Sequence, residues 1–422
     1  MATQPAATPR PSYRALLDVP SLARVLVGMS IARIGGGMLS VALVLFTLEE
    51  FGSPALAGIV TFVAIFPGIL VSPIAGALLD RHGRSRLVVL DYVFGAASLA
   101  LIGGLARAGS LTPLLLIAIA AASSLTTPLS TSGLRSLLPL MVPKPLWERA
   151  NAVDSNGYVL ATLIGPPLAG GLVQLAGGAE ALFAVAALLV AAAVVLVGIP
   201  DPPTDSASTG NLLVDAWRGL VYTMRNPTLR GLGLSISTLN LGGGMLAIVV
   251  PIVVIDRLGY GAAVAGLAWA ASGLAGMVAA FFFGRWDSRG RERQLLVWPM
   301  VGYGLALLLL MPIDGIVLVF VGLAVTGFLN GPMDIGLFTV RQRRTDPAWM
   351  GRAFAVSMAF NFMGFPIGSA LAGALVSVSL VAAVAFGVVA ALLGAAIAWL
   401  TIPAVDERAG RTSDETGAPI PG

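Results

Sequence analysis

Apolar stretches separated by short polar turns fill the chain from residue 22 to residue 402. Each is about 20 residues or longer, enough to cross a bilayer core. The pattern predicts twelve helices, at 22–48, 54–79, 87–106, 112–134, 151–175, 179–199, 231–254, 260–283, 295–312, 315–340, 352–376 and 379–402, the fourth broken by Pro128. Two regions depart from it. Residues 1–20 and 403–422 are polar tails. Residues 201–230 begin with a polar PDPPTDSASTG run, after which Leu212, Leu213, Trp217, Leu220 and Val221 recur at helical spacing with Asp215, Arg218 and Arg225 between them. That amphipathic segment is too short to cross and predicts a surface helix over 214–224, lying along the membrane face. The chain thus divides into a first six-helix bundle (21–200), a linker (201–230) and a second six-helix bundle (231–402).

Composition narrows the class. Of 422 residues 57% are hydrophobic and only 11% charged, against about 25% charged in soluble domains. Mean hydropathy is +0.90. With no cysteine and one histidine, His82, thiolate and histidine metal sites are excluded, and no metal or cofactor is expected. No nucleophile–base constellation stands out, so an enzyme is not expected. The net charge of +4 comes from arginines scattered through loops, which argues for topology and against nucleic acid. With the amino terminus inside, 22 of the 25 basic residues fall on one side; Arg107 and Arg257 face the other, and Arg33 lies within the membrane. The positive-inside rule then puts both termini in the cytoplasm.

The halves repeat. Asp80-Arg81-His82-Gly83-Arg84-Ser85-Arg86 is echoed 207 residues later by Asp287-Ser288-Arg289-Gly290-Arg291-Glu292-Arg293. GGGML stands at 35–39 and at 242–246. Arg149-Ala150 matches Arg352-Ala353, and the same register aligns Ile164-Gly165 with Ile367-Gly368, 203 apart. Two copies in the same orientation, each of six spans, make a parallel repeat about an axis along the membrane normal.

Gly76 four positions before Asp80, followed by Arg81, Gly83 and Arg84, resembles the loop signature between helices two and three of the major facilitator superfamily; Arg86 supplies the second basic residue one position late. LLPLMVPKPLWERANAVDS (137–155), GPPLAGG (165–171) and GFPIGSALAG (364–373) resemble bacterial members of the enterobactin-exporter and macrolide-efflux kind, and GPPLAGG also resembles the helix-five signature of antiporters. The resemblance covers residues 20–402. It implies a bacterial plasma-membrane protein, monomeric, that exports an amphipathic small molecule by alternating access with proton coupling. Uptake or facilitated diffusion of a small metabolite, and a transport-dead receptor or scaffold of the same fold, remain alternatives. It also implies a gating role for Gly76, Asp80, Arg81, Gly83, Arg84 and Arg86, and for Asp287, Gly290, Arg291 and Arg293. Asp80 is expected beside the start of helix eleven, near Arg352, and Asp287 beside the start of helix five, near Arg149. Helix amino-terminal ends favour such carboxylates.

Within the membrane, Arg33 lies eleven residues into the first helix, about 16 Å along it. A charge at that depth faces a cavity or a partner. Asp334 and Asn240, the latter at the repeat position of Arg33, are its expected neighbours, either as a static pair or in substrate or proton handling. Met38, Met245 and Asn330 complete the candidate cavity lining. Asp91 and Asp154, near helix ends on the basic side, are expected to pair with loop arginines.

Overall fold

The computed structural model describes residues 13–201, 212–283, 290–311, 315–346 and 349–403. Among them are twelve helices long and apolar enough to cross a membrane: Leu22–Phe51, Pro54–Gly76, Arg84–Arg107, Pro113–Met141, Gly157–Ala176, Gly178–Leu196, Pro227–Arg257, Ala262–Phe283, Glu292–Leu310, Ile316–Arg344, Val356–Val376 and Leu380–Thr401. They are called spans one to twelve below. No strand occurs among the described residues. The chain is an all-α, multi-pass integral membrane protein.

The fourth span breaks where expected: helix stops at Ser124 and resumes at Thr127. Pro128 lacks an N–H and disfavours helical geometry in the residue before it. The second span breaks for the same reason, between Val63 and Phe66 ahead of Pro67, which the hydropathy reading runs through as one helix. The fifth and eleventh helices begin on the basic side at Trp147 and Met350, before their apolar windows.

Within each bundle, spans at equivalent repeat positions pack alike. Span one lies against spans five and six, and span seven against spans eleven and twelve. Gly37 sits on the Ala161 carbonyl and Gly165 on the Gly37 backbone; in the second half Gly244 sits on the Phe365 carbonyl and Gly368 on the Leu241 backbone. Backbones this close leave no room for a Cβ, the usual means of tight packing where no water drives association.

The bundles meet along two pairs, spans five and eight and spans two and eleven. Gly170 lies on the Ala262 carbonyl and Gly266 on the Pro166 carbonyl; in mirrored roles, Gly373 lies on the Pro54 carbonyl and Gly58 on the Ser369 carbonyl. Gln174 adds a hydrogen bond from the Ala263 N–H at 3.0 Å. These contacts lie in the half of the membrane away from the basic side, so the far side is shut by two related crossings.

The helix Leu212–Arg225 is 14 residues long, about 21 Å, too short to cross a bilayer core. It lies against the basic-side portion of span two and against the helix of span eleven. Its end is fastened to the second bundle. Tyr222 stacks on Trp349, ring centroids 4.9 Å apart, and its hydroxyl accepts from the Asp346 N–H at 3.0 Å. Asn226 caps span seven through Thr228 and Leu229 and donates to the Arg344 carbonyl at 3.1 Å.

Candidate functional site

Arg33 does not reach Asp334 or Asn240. Its guanidinium meets the Asp154 carboxylate at 2.5 Å and donates through a second nitrogen to the Asp154 carbonyl. Both side chains are 12% exposed. The partner is therefore inside the same bundle. Asp154 lies two turns into the fifth helix, and Gly157, one turn on, has only hydrogen where a Cβ would run into the guanidinium. Asp154 thus pairs with a membrane arginine and not with a loop one. Asp91 is buried and makes no ion pair with a loop arginine among the described residues.

Tyr158, one turn beyond Asp154, carries Arg33 over its ring at 3.8 Å and Arg135 of span four at 4.9 Å. An arginine over an aromatic face gains from the ring quadrupole. Arg33, Asp154, Tyr158 and Arg135 make one polar cluster joining spans one, four and five.

The second bundle repeats the cluster with the charge redistributed. Arg341 stands 206 residues after Arg135, Asn361 203 after Tyr158, and Asn240 207 after Arg33. Asn240 donates to the Asn361 carbonyl at 2.8 Å. Arg341, 0% exposed, donates to the Met358 sulfur at 2.7 Å; with the Asn361 amide turned so that its oxygen faces the guanidinium, it also donates to that oxygen, and the amide nitrogen reaches the Ser357 carbonyl. Hydropathy and motif reading pass over Arg341. Its 206-residue offset from Arg135 matches neither repeat register, so the repeat alone does not find it.

Asp334 stands apart from both clusters. It is exposed and makes no hydrogen bond or ion pair among the described residues. Val317, Val321 and Val325 are exposed along one side of span ten. Asp334 is nine residues past Val325, half a turn round the helix at 100° per residue, and so on the opposite side of span ten from Val325. Asn330 is one turn away and half-buried. Met38 and Met245, expected to line the cavity, are 2% and 0% exposed and pack in the bundle cores. Helices apolar all round give no periodic clue to which face is inward.

In the loop motif, Gly83 and Gly290 take positive φ, 90° and 76°, the region glycine enters without steric cost. The Asp201 carboxylate accepts from the Ser85 N–H at 2.7 Å and fills the space beside Gly83. The anion at the start of span three is therefore Asp201, at the end of the first bundle. Arg84 donates to Ser136 at 3.0 Å. Arg81, Arg86 and Arg291 are exposed, and Gly76 and Arg149 half-buried. Arg293 covers the Trp399 ring at 4.1 Å, and Glu292 pairs with Arg343. The side chains of Asp80 and Arg352, and all of Asp287, lie outside the described residues.

Comparison with known proteins agrees with this architecture. The profile described as "Major Facilitator Superfamily" matches residues 25–230 and 232–421. The uncharacterized MFS-type transporter y4rN of Sinorhizobium fredii is 38% identical over 397 residues, covering 93% of this chain and 97% of its own. The multidrug efflux pump Tap of Mycolicibacterium fortuitum is 24% identical over 356 residues, 81% and 85% of the two chains. Macrolide efflux protein A of Streptococcus pyogenes is 22% identical over 352 residues, with the same coverage. Among solved structures, a mutant of the nucleoside transporter NupG superposes with a TM-score of 0.69 at 13% identity, over 94% of this chain and 100% of the other. A polytopic fold of two six-span bundles, matched along its length by this profile and these relatives, is that of a membrane transporter. The chain belongs to the major facilitator superfamily.

Proposed function

We propose that this transporter exports an amphipathic organic molecule across a bacterial inner membrane by alternating access, with both termini cytoplasmic and proton movement as the driving force. The observation that carries the reading is the pair of symmetry-related glycine crossings between the bundles. Backbone-to-backbone closure by small residues seals one side with few specific bonds to break, as a rocking mechanism requires. Two efflux pumps among the relatives support the outward direction. Asp334 is the carboxylate best placed to exchange a proton or meet a cationic cargo, because it is exposed within a span without a partner among the described residues. Arg33 orders the first bundle through Asp154 and is a positioning residue. Closure of the basic side falls to the loop motifs: Asp80 reaching the start of helix eleven near Arg352, and Asp287 reaching the start of helix five near Arg149. The protein works as a monomer without a cofactor.

The test is accumulation of fluorescent amphipathic dyes in cells with and without the gene. Lower accumulation that rises when the proton gradient is collapsed is the expected result. Higher accumulation in cells carrying the gene would make the protein an importer. Equal accumulation across a broad cationic, neutral and anionic panel would count against export of amphipathic compounds.

A further inference from the structure

We infer that the groove between the linker helix and span eleven is a binding site for an anionic phospholipid. The helix Leu212–Arg225 has three distinct sides at 100° per residue. Gly219 and Thr223 are buried on the side that docks against the bundles. Trp217, Leu220 and Met224 share a second side, with Trp217 64% exposed and Met224 41%. Arg218 and Arg225, seven residues apart, share a third and are both exposed.

The second side is not simply a greasy surface. Together with Val221, Arg225 and Phe360 of span eleven it lines a shallow, open groove of about 500 Å³. Phe360 lies one turn into the apolar window of its span, so the groove opens at the boundary between hydrocarbon and headgroups. Its apolar wall faces acyl chains and its edge carries Arg225. Arg230, exposed at the start of span seven, donates to the Met224 carbonyl at 3.3 Å and so stands at the same end. Neither Arg218 nor Arg225 makes an ion pair among the described residues. An apolar wall edged by Arg225, with Arg230 at the same end and Arg218 on the adjoining side of the helix, matches a phospholipid with a net negative headgroup, its chain along Trp217, Leu220 and Phe360 and its phosphate at Arg225 and Arg230.

The test uses the full chain in bilayer nanodiscs and reads the fluorescence of Trp217, isolated by subtracting a Trp217→Phe variant. Brominated acyl chains quench an indole they touch. Brominated phosphatidylglycerol should quench Trp217 at a mole fraction roughly fivefold lower, for each arginine engaged, than brominated phosphatidylcholine, the preference expected of basic residues at an anionic surface. Arg225→Gln should reduce that preference, and combined Arg218→Gln, Arg225→Gln and Arg230→Gln should abolish it while quenching by phosphatidylcholine persists. Added salt should weaken the wild-type preference through screening, which gives a measure that needs no arginine variant to fold. Equal quenching by the two lipids, a preference that survives the triple substitution, or one indifferent to salt would overturn the assignment. None of these readings depends on transport.

Discussion

Arg33 of span one and Asp154 of span five hold each other at two points: carboxylate to guanidinium at 2.5 Å, and backbone carbonyl to a second guanidinium nitrogen. The arginine is thus neutralised by a neighbouring helix, while Arg135 and Tyr158, which flank it, are exposed.

Removing either partner leaves the other charged and largely buried. Arg33→Ala and Asp154→Ala should each destabilise the first bundle by about 3–5 kcal/mol. The double variant should cost clearly less than the sum. Thermal unfolding of the purified protein in detergent, analysed as a double-mutant cycle, measures this; strictly additive losses would show that the two side chains do not act together.

The far-side crossings leave no space for a methyl group. Gly170→Ala and Gly373→Ala, equivalent in the repeat, should each push the outer ends of the bundles apart and shift the population toward opening on that side. Because the chain has no cysteine, single cysteines placed beside the crossings can be labelled from the far side. Labelling should rise several-fold in both variants, and a rise in only one would break the symmetry argument.

Asp334→Asn removes an exposed carboxylate and leaves the surrounding packing untouched. Transport driven by a pH gradient in reconstituted vesicles should fall at least tenfold, with folding and unfolding temperature unchanged. Persistent gradient-driven transport would move proton coupling to another group.

Asp201 caps span three. Asp201→Ala should cost about 1 kcal/mol, the usual value of a lost helix cap. Asp80→Asn acts differently under the proposed gating role: spin labels on the basic-side ends of spans two and eleven should report longer distances, with little change in stability. Identical distance distributions in wild type and variant would remove Asp80 from the gate.

What can be read from the sequence follows from what periodicity encodes. Hydropathy and length locate all twelve spans, and the interrupted apolar stripe of Leu213, Trp217 and Leu220 marks the helix that does not cross. Pro128 signals a break; Pro67 carries the same signal inside a continuous apolar run. Spatial partners are harder. Matching Arg33 to Asp334 and Asn240 rests on all three belonging to inward-lining helices, yet a shift of one residue turns a side chain by 100°. Asp154 and Gly157, spaced to receive a guanidinium against span one, are the relevant pattern. Met38 and Met245 show the opposite limit: on a helix apolar on every side, nothing in the sequence separates core from cavity.

The linker is anchored at both ends. Asp201 is bonded to the Ser85 N–H of the first bundle, and the helix Leu212–Arg225 is held to the second by the Tyr222–Trp349 stack. Of the long connection between the bundles, only residues 202–211 lie between these anchors. Ten residues have a contour length of at most about 35 Å. That short leash, and not the whole linker, caps how far the basic-side ends can swing apart, so lengthening it should widen the stroke while shortening it should lock the halves together.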